Sequence, residues 1–142
     1  MLILYLPFVI ALIALAAIDL ERRILPNRIV YPLAAWGVAA TALIAPGDLP
    51  GHLAAGAGAF TLLLSMALIH PPGMGMGDVK LAGAMGLCLG PAVVPALLIA
   101  SLAGSLAGAV IVLHNGTPAS NATLPFGVFL ALGGIVAAVL SA

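Results

Sequence analysis

From Leu81 to the C-terminus the chain carries no Asp, Glu, Lys or Arg. A soluble globular domain has charge on about a quarter of its residues. Here only 6% of the 142 residues are charged and 64% are hydrophobic. The charged residues, four basic and four acidic, all fall between Asp19 and Lys80. Such a chain belongs in lipid. With no basic excess it has no electrostatic footprint for nucleic acid.

A helix needs roughly 20 apolar residues to cross a bilayer. Six runs approach that: Leu2–Ile18, Ile29–Ala45, Gly51–Ile69, Asp78–Gly90, Pro91–Leu113 and Leu124–Leu140. Pro32 is expected in the first turn of the second run, where a missing N–H does little harm. The fourth run spans roughly 20 Å as a helix, short of a hydrocarbon core of about 30 Å. It is expected to be short or broken, either dipping in from the glycine-rich loop before it or kinking past Pro91. Such a segment is tolerated at membrane depth only when buried in protein or facing a wet cavity. The expected architecture is therefore all-α: one membrane-embedded domain over residues 1–142, a bundle of six transmembrane helices. The first run has its basic residues after it, not before, and reads as a retained helix rather than a signal peptide.

Arg22, Arg23 and Arg28 lie between the first two runs, and Lys80 opens the fourth. These loops share one face, while the opposite loops hold only Asp48, which is expected to cap the third helix before Pro50. By the positive-inside rule the basic face is cytoplasmic and the N-terminus is outside. Small residues four apart (Gly86 and Gly90, Ser101 and Ser105, Gly104 and Gly108) read as helix-packing positions.

Asp19 ends the first run and Asp78 begins the fourth, so both stand at the cytoplasmic boundary. A carboxylate at the edge of hydrocarbon is costly and marks a functional site. Two that meet share a proton and titrate as a coupled pair. The ionised one draws a proton from water, and the protonated one donates to a scissile carbonyl or leaving amine. Three segments are expected to converge on that face: Asp19 to Asn27, Gly75 to Leu81, and Leu124-Pro125-Phe126-Gly127. Gly75 and Gly77 leave room for a peptide strand to approach. Cys88 is the one cysteine and reads as a small buried apolar residue; His52, His70 and His114 form no metal pattern.

Asp19 followed seven positions later by Pro26-Asn27, then Gly75-Met76-Gly77-Asp78-Val79-Lys80-Leu81, then Pro125-Phe126-Gly127, resembles the type IV prepilin peptidases. These are aspartic endopeptidases of the bacterial inner membrane, and the resemblance spans about residues 15–130. It implies cleavage of the short basic leader of prepilins at the cytoplasmic boundary, with the prepilin's leader and apolar helix as partner and no metal or cofactor. The family's catalytic aspartates fall on Asp19 and Asp78. Its supporting residues fall on Gly75, Gly77, Lys80, Pro26, Asn27, Pro125, Phe126 and Gly127. Many members carry a cytoplasmic insertion with paired CxxC motifs and also methylate the new N-terminus. This chain lacks those motifs, so methyl transfer is not expected. Its small size resembles the minimal members that serve tight-adherence (Flp-type) pili. Two other readings compete. One is a GxGD-type intramembrane protease for other signal sequences. The other is a non-enzymatic membrane subunit or small transporter, which would need a charge pathway that the last two runs lack.

Overall fold

The computed structural model describes residues 2–22, 25–69, 76–115 and 126–141. Among these the chain is six α-helices and two short 3₁₀ turns, with no strand. The helices are α1 (Leu2–Arg22), α2 (Asn27–Ile44), α3 (Leu49–Ile69), α4 (Met76–Leu89), α5 (Val93–Asn115) and α6 (Phe126–Ser141). By length and composition, Ile3–Arg22, Pro46–Ile69 and Met76–Ile111 each suffice to cross a membrane. The protein is an all-α membrane protein.

Contacts along the helices set their directions. Gly134 lies against Leu12 and Phe8, and Gly127 against Asp19, so α6 runs antiparallel to α1. Gly83 faces Phe60 and Gly86 faces Ala55, so α4 runs antiparallel to α3. Gly133 meets Ala96 and Gly104 meets Phe126, so α5 runs antiparallel to α6. Trp36 Nε1 donates to the Leu4 carbonyl at 3.1 Å, tying α2 to α1. One end of the bundle holds Asp19, Leu25, Gly77 and Gly127. The other holds a cleft of about 400 Å³ lined by Tyr5, Asp48, His52 and Ser141, among others.

The short α4 is the central helix. Val79, Leu81, Ala82, Ala84, Met85 and Cys88 are all buried, so α4 is apolar around its circumference, as a fully enclosed helix must be. Its 14 residues need not reach both interfaces, because protein rather than lipid surrounds them. It neither kinks through Pro91 nor continues. It ends at Leu89, and a 3₁₀ turn over Gly90–Ala92 sends the chain back along α6 as α5. Gly90 has φ +62°, open to glycine and strained for other residues. The buried His52 ring also packs on it: a Cβ at Gly90 would stand 2.7 Å from Nε2. His52 Nδ1 donates to the Leu87 carbonyl at 2.8 Å and lies 3.2 Å from Thr41 Oγ1, so one ring joins α2, α3 and α4.

Two details depart from expectation. Helix α2 starts at Asn27 with Pro26 as its N-cap, so Pro32 lies in the second turn, where its ring removes the donor to the Arg28 carbonyl. Asp48 closes the 3₁₀ turn that leads straight into α3, so its backbone is helical rather than that of an extended N-cap.

Gly86 marks the closest helix approach. A Cβ there would stand 2.6 Å from the Ala55 carbonyl oxygen and from Gly56 Cα, both backbone. Neither atom can swing away as a side chain does. Gly86→Val should therefore force α3 from α4 and cost about 3 kcal/mol or more. The check is a large drop in the thermal midpoint of the detergent-solubilised protein, against little change for Gly58→Ala, which has open space around it.

Candidate active site

Helix α1 does not stop at Asp19 but runs on through Arg22, which puts Asp19 in its last turns. The negative end of a helix dipole is an unfavourable place for a carboxylate. Asp19 is nevertheless buried, at 5% exposure. Its surroundings come from α6. A Cβ at Gly127 would lie 2.7 Å from Asp19 Oδ2 and 3.0 Å from its Cγ. The carboxyl group thus sits against the first turn of α6, whose N-terminal end favours negative charge.

Asp78 is half-buried in the first turn of α4, the third described residue of that helix. It too stands at the positive end of a dipole. The two carboxylates come from helices that run in opposite directions, yet each lies by a helix N-terminus: Asp78 on its own helix, Asp19 on a neighbouring one.

Leu25 links the two neighbourhoods. It is 8% exposed in a short connection flanked by exposed Arg22 and Asn27. A Cβ at Gly77 would be 3.2 Å from Leu25 Cβ, and a Cβ at Gly127 would be 3.1 Å from Leu25 Cδ2. Asp19, Gly127, Leu25 and Gly77 therefore form one contiguous chain of contacts, and Asp78 follows Gly77 directly.

The other candidates divide. Lys80 lies with its Nζ 5.5 Å from the centroid of the Tyr31 ring on α2, within cation–π range. Pro26 accepts from the Ile29 and Val30 amides with its carbonyl and fixes the start of α2. Asn27, the first residue of α2, is exposed. Phe126 packs on Gly104 of α5 and so anchors the first turn of α6. Gly75 and Pro125 lie outside the described residues, as does His70. Among the described residues no group of three or more His, Cys, Asp or Glu is placed to hold a metal ion.

Three residues with packing roles, Leu25 at this end and His52 and Thr41 at the other, were not foreseen from the sequence. Leu25 carried one signal: with Ile24 it is an apolar pair inside the charged segment Glu21–Arg28. His52 and Thr41 carried none, because their meeting depends on the pairing of α2 with α3.

Residues 6–113 match the model of the type IV leader peptidase family. Over 132 residues the chain is 38% identical to a prepilin leader peptidase/N-methyltransferase of Bacillus subtilis (strain 168), covering 92% of this chain and 52% of that protein. It is 35% identical over 132 residues to the protein of the same name in Burkholderia pseudomallei (strain 1026b), covering 87% and 42% respectively. The chain thus spans about half the length of the curated relatives it matches. No solved structure gives a significant match.

Proposed function

Because the chain belongs to the type IV leader peptidase family, we propose that it is a membrane aspartic endopeptidase that removes the leader from prepilins, with Asp19 and Asp78 holding the hydrolytic water. One observation carries this reading. Asp19 lies against Gly127 beside Leu25, and Leu25 lies against Gly77, the residue before Asp78. Two acidic residues 59 positions apart (78 − 19) are drawn to one end of the bundle by contiguous packing.

In the reaction the ionised carboxylate takes a proton from water as the oxygen attacks the scissile carbonyl. The protonated partner donates to the carbonyl oxygen and then to the leaving amine. Water is consumed, one peptide bond breaks, and the pair returns to its shared-proton state. No covalent intermediate or metal is needed. Low dielectric at the membrane boundary strengthens each electrostatic contact with the developing charge.

The same reading places residues 1–142 as one peptidase unit with six spans, its N-terminus outside and its catalytic end at the cytoplasmic face of the bacterial inner membrane. Arg22, Arg28 and Lys80 lie at the Asp19 end and Asp48 at the other, the charge asymmetry that sets such an orientation. The substrate's apolar helix lies in the bilayer beside the enzyme, with lipid as the common solvent.

The test is direct. The purified protein in lipid, mixed with a prepilin, should release the leader and leave a shortened pilin, read by gel shift and mass spectrometry. An intact substrate with folded enzyme would overturn the reading. The relatives' names also include N-methyltransferase, whereas Cys88, this chain's one cysteine, is buried between α2 and α4. With a methyl donor present, the mature pilin's N-terminus is expected to show no added methyl mass. A methylated product would assign the second activity to this chain.

A further inference from the structure

We propose that Leu25 is a positioning residue that sets the relative placement of the two carboxyl groups; this rests on the Asp19–Asp78 reading above. Its backbone is confined to extended conformations because Pro26 follows it. Its side chain is buried against two glycines, each in the first turn of a different helix. Gly77 contributes its bare Cα at the start of α4, and Gly127 does the same at the start of α6. Replacement of either hydrogen by a methyl group would bring carbon to 3.2 or 3.1 Å from Leu25. That is tighter than ordinary carbon–carbon contact of about 3.5–4.0 Å. The leucine therefore fills the gap between the turn that carries Asp78 and the turn on which Asp19 rests.

A wedge in that place does more than add apolar burial. The apolar core includes Leu25 and runs on along the bundle through Phe8, Leu12, Met85 and Leu130. Leu25 stands at its rim, in a connection rather than a helix. Removal of its distal carbons leaves the core contacts in place but frees the first turn of α4 to shift relative to α6. A misplacement of about 1 Å between reacting groups can cost about a hundredfold in rate. Partial freedom should cost less, and should fall on the chemical step rather than on substrate binding.

Two readouts test this. In a Cys88→Ala background carrying Asp19→Cys and Asp78→Cys, a short bis-maleimide should cross-link the two positions in membranes. Adding Leu25→Ala should slow that cross-link several-fold, and Leu25→Met should restore it. This comparison needs no catalysis. In the otherwise unsubstituted enzyme, Leu25→Ala should lower kcat for prepilin about tenfold, with KM changed less than about threefold, and Leu25→Met should recover most of the loss. Leu25→Val, which removes a single carbon, should be intermediate and serves if Leu25→Ala fails to fold. Equal cross-linking with and without Leu25, or a lowered thermal midpoint with kcat unchanged, would overturn the wedge. Failure of the unsubstituted enzyme to cut prepilin would instead overturn the proposed substrate, and the cross-linking comparison would still decide the role of Leu25.

Discussion

Asp19→Asn and Asp78→Asn should each reduce prepilin processing by about three orders of magnitude or more, the upper part of the range for a lost general acid or base. Asparagine keeps the shape of the side chain but can neither carry the negative charge nor pass a proton. The two substitutions should not add. Once one carboxyl is lost the other has no partner to share a proton with, so the double variant should be about as slow as either single one. Stability should survive. Asp19 is buried, and exchange for a neutral side chain of the same size relieves the cost of holding charge there. Each variant should therefore remain inserted, elute as the parent does and unfold at a similar or higher temperature. Asp48→Asn, at the far end of the bundle beside the His52 cleft, should process at the parental rate. Normal processing by either Asp19→Asn or Asp78→Asn would remove the paired mechanism.

The sequence made six helices legible because lipid imposes a simple rule: long apolar runs interrupted by polar or Gly-Pro breaks. The helix bounds fall within a few residues of those runs, except where tertiary partners decide. The end of α4 is one such place. Gly90-Pro91 is compatible with a kink or a stop, and the choice depends on the His52 ring packed against Gly90 from another helix. The start of α2 is another. With Pro26 as its cap, the helix begins at Asn27, two residues ahead of the apolar run, and this carries Pro32 into the second turn. Some small-residue positions proved to be contacts: Gly86 is pressed against the α3 backbone. Ser101 and Ser105 are exposed on α5, the same spacing with no partner helix on that face. Periodicity reports which residues share a face, but not whether another helix covers it.

The candidate site was legible in its parts and not in its joints. Asp19 and Asp78 stand out because charge is so scarce in this chain, and the positive-inside rule sets them on a common face. Neither feature says what lies between them. That Asp19 rests on the first turn of α6, and that Leu25 bridges to Gly77, follow from helix packing that leaves no one-dimensional trace. Gly127 illustrates the gap. By resemblance it was a supporting residue of unstated purpose; its packing gives it a physical one, room for a carboxylate.

That purpose predicts the second large effect. Gly127→Ala adds one methyl group, with its carbon 2.7 Å from Asp19 Oδ2, 3.0 Å from Asp19 Cγ and 3.1 Å from Leu25 Cδ2. All three contacts are shorter than relaxed van der Waals separation. Helix α6 cannot back away easily, because Gly133 and Gly134 are pressed against α5 and α1 one to two turns on. The Asp19 carboxyl is the atom group with freedom to rotate, so it should give way and leave the position from which we propose it meets the water. Processing should fall by about a hundredfold, the scale of a misplacement of about 1 Å. Stability should change little, since the strain is relieved by one side-chain torsion at about 0.5–1.5 kcal/mol. The informative result is a large fall in kcat with KM and thermal midpoint nearly unchanged. A parental kcat in Gly127→Ala would mean that Asp19 does not act from its seat against α6, and a collapse in stability would mean that Gly127 serves helix packing rather than the carboxylate.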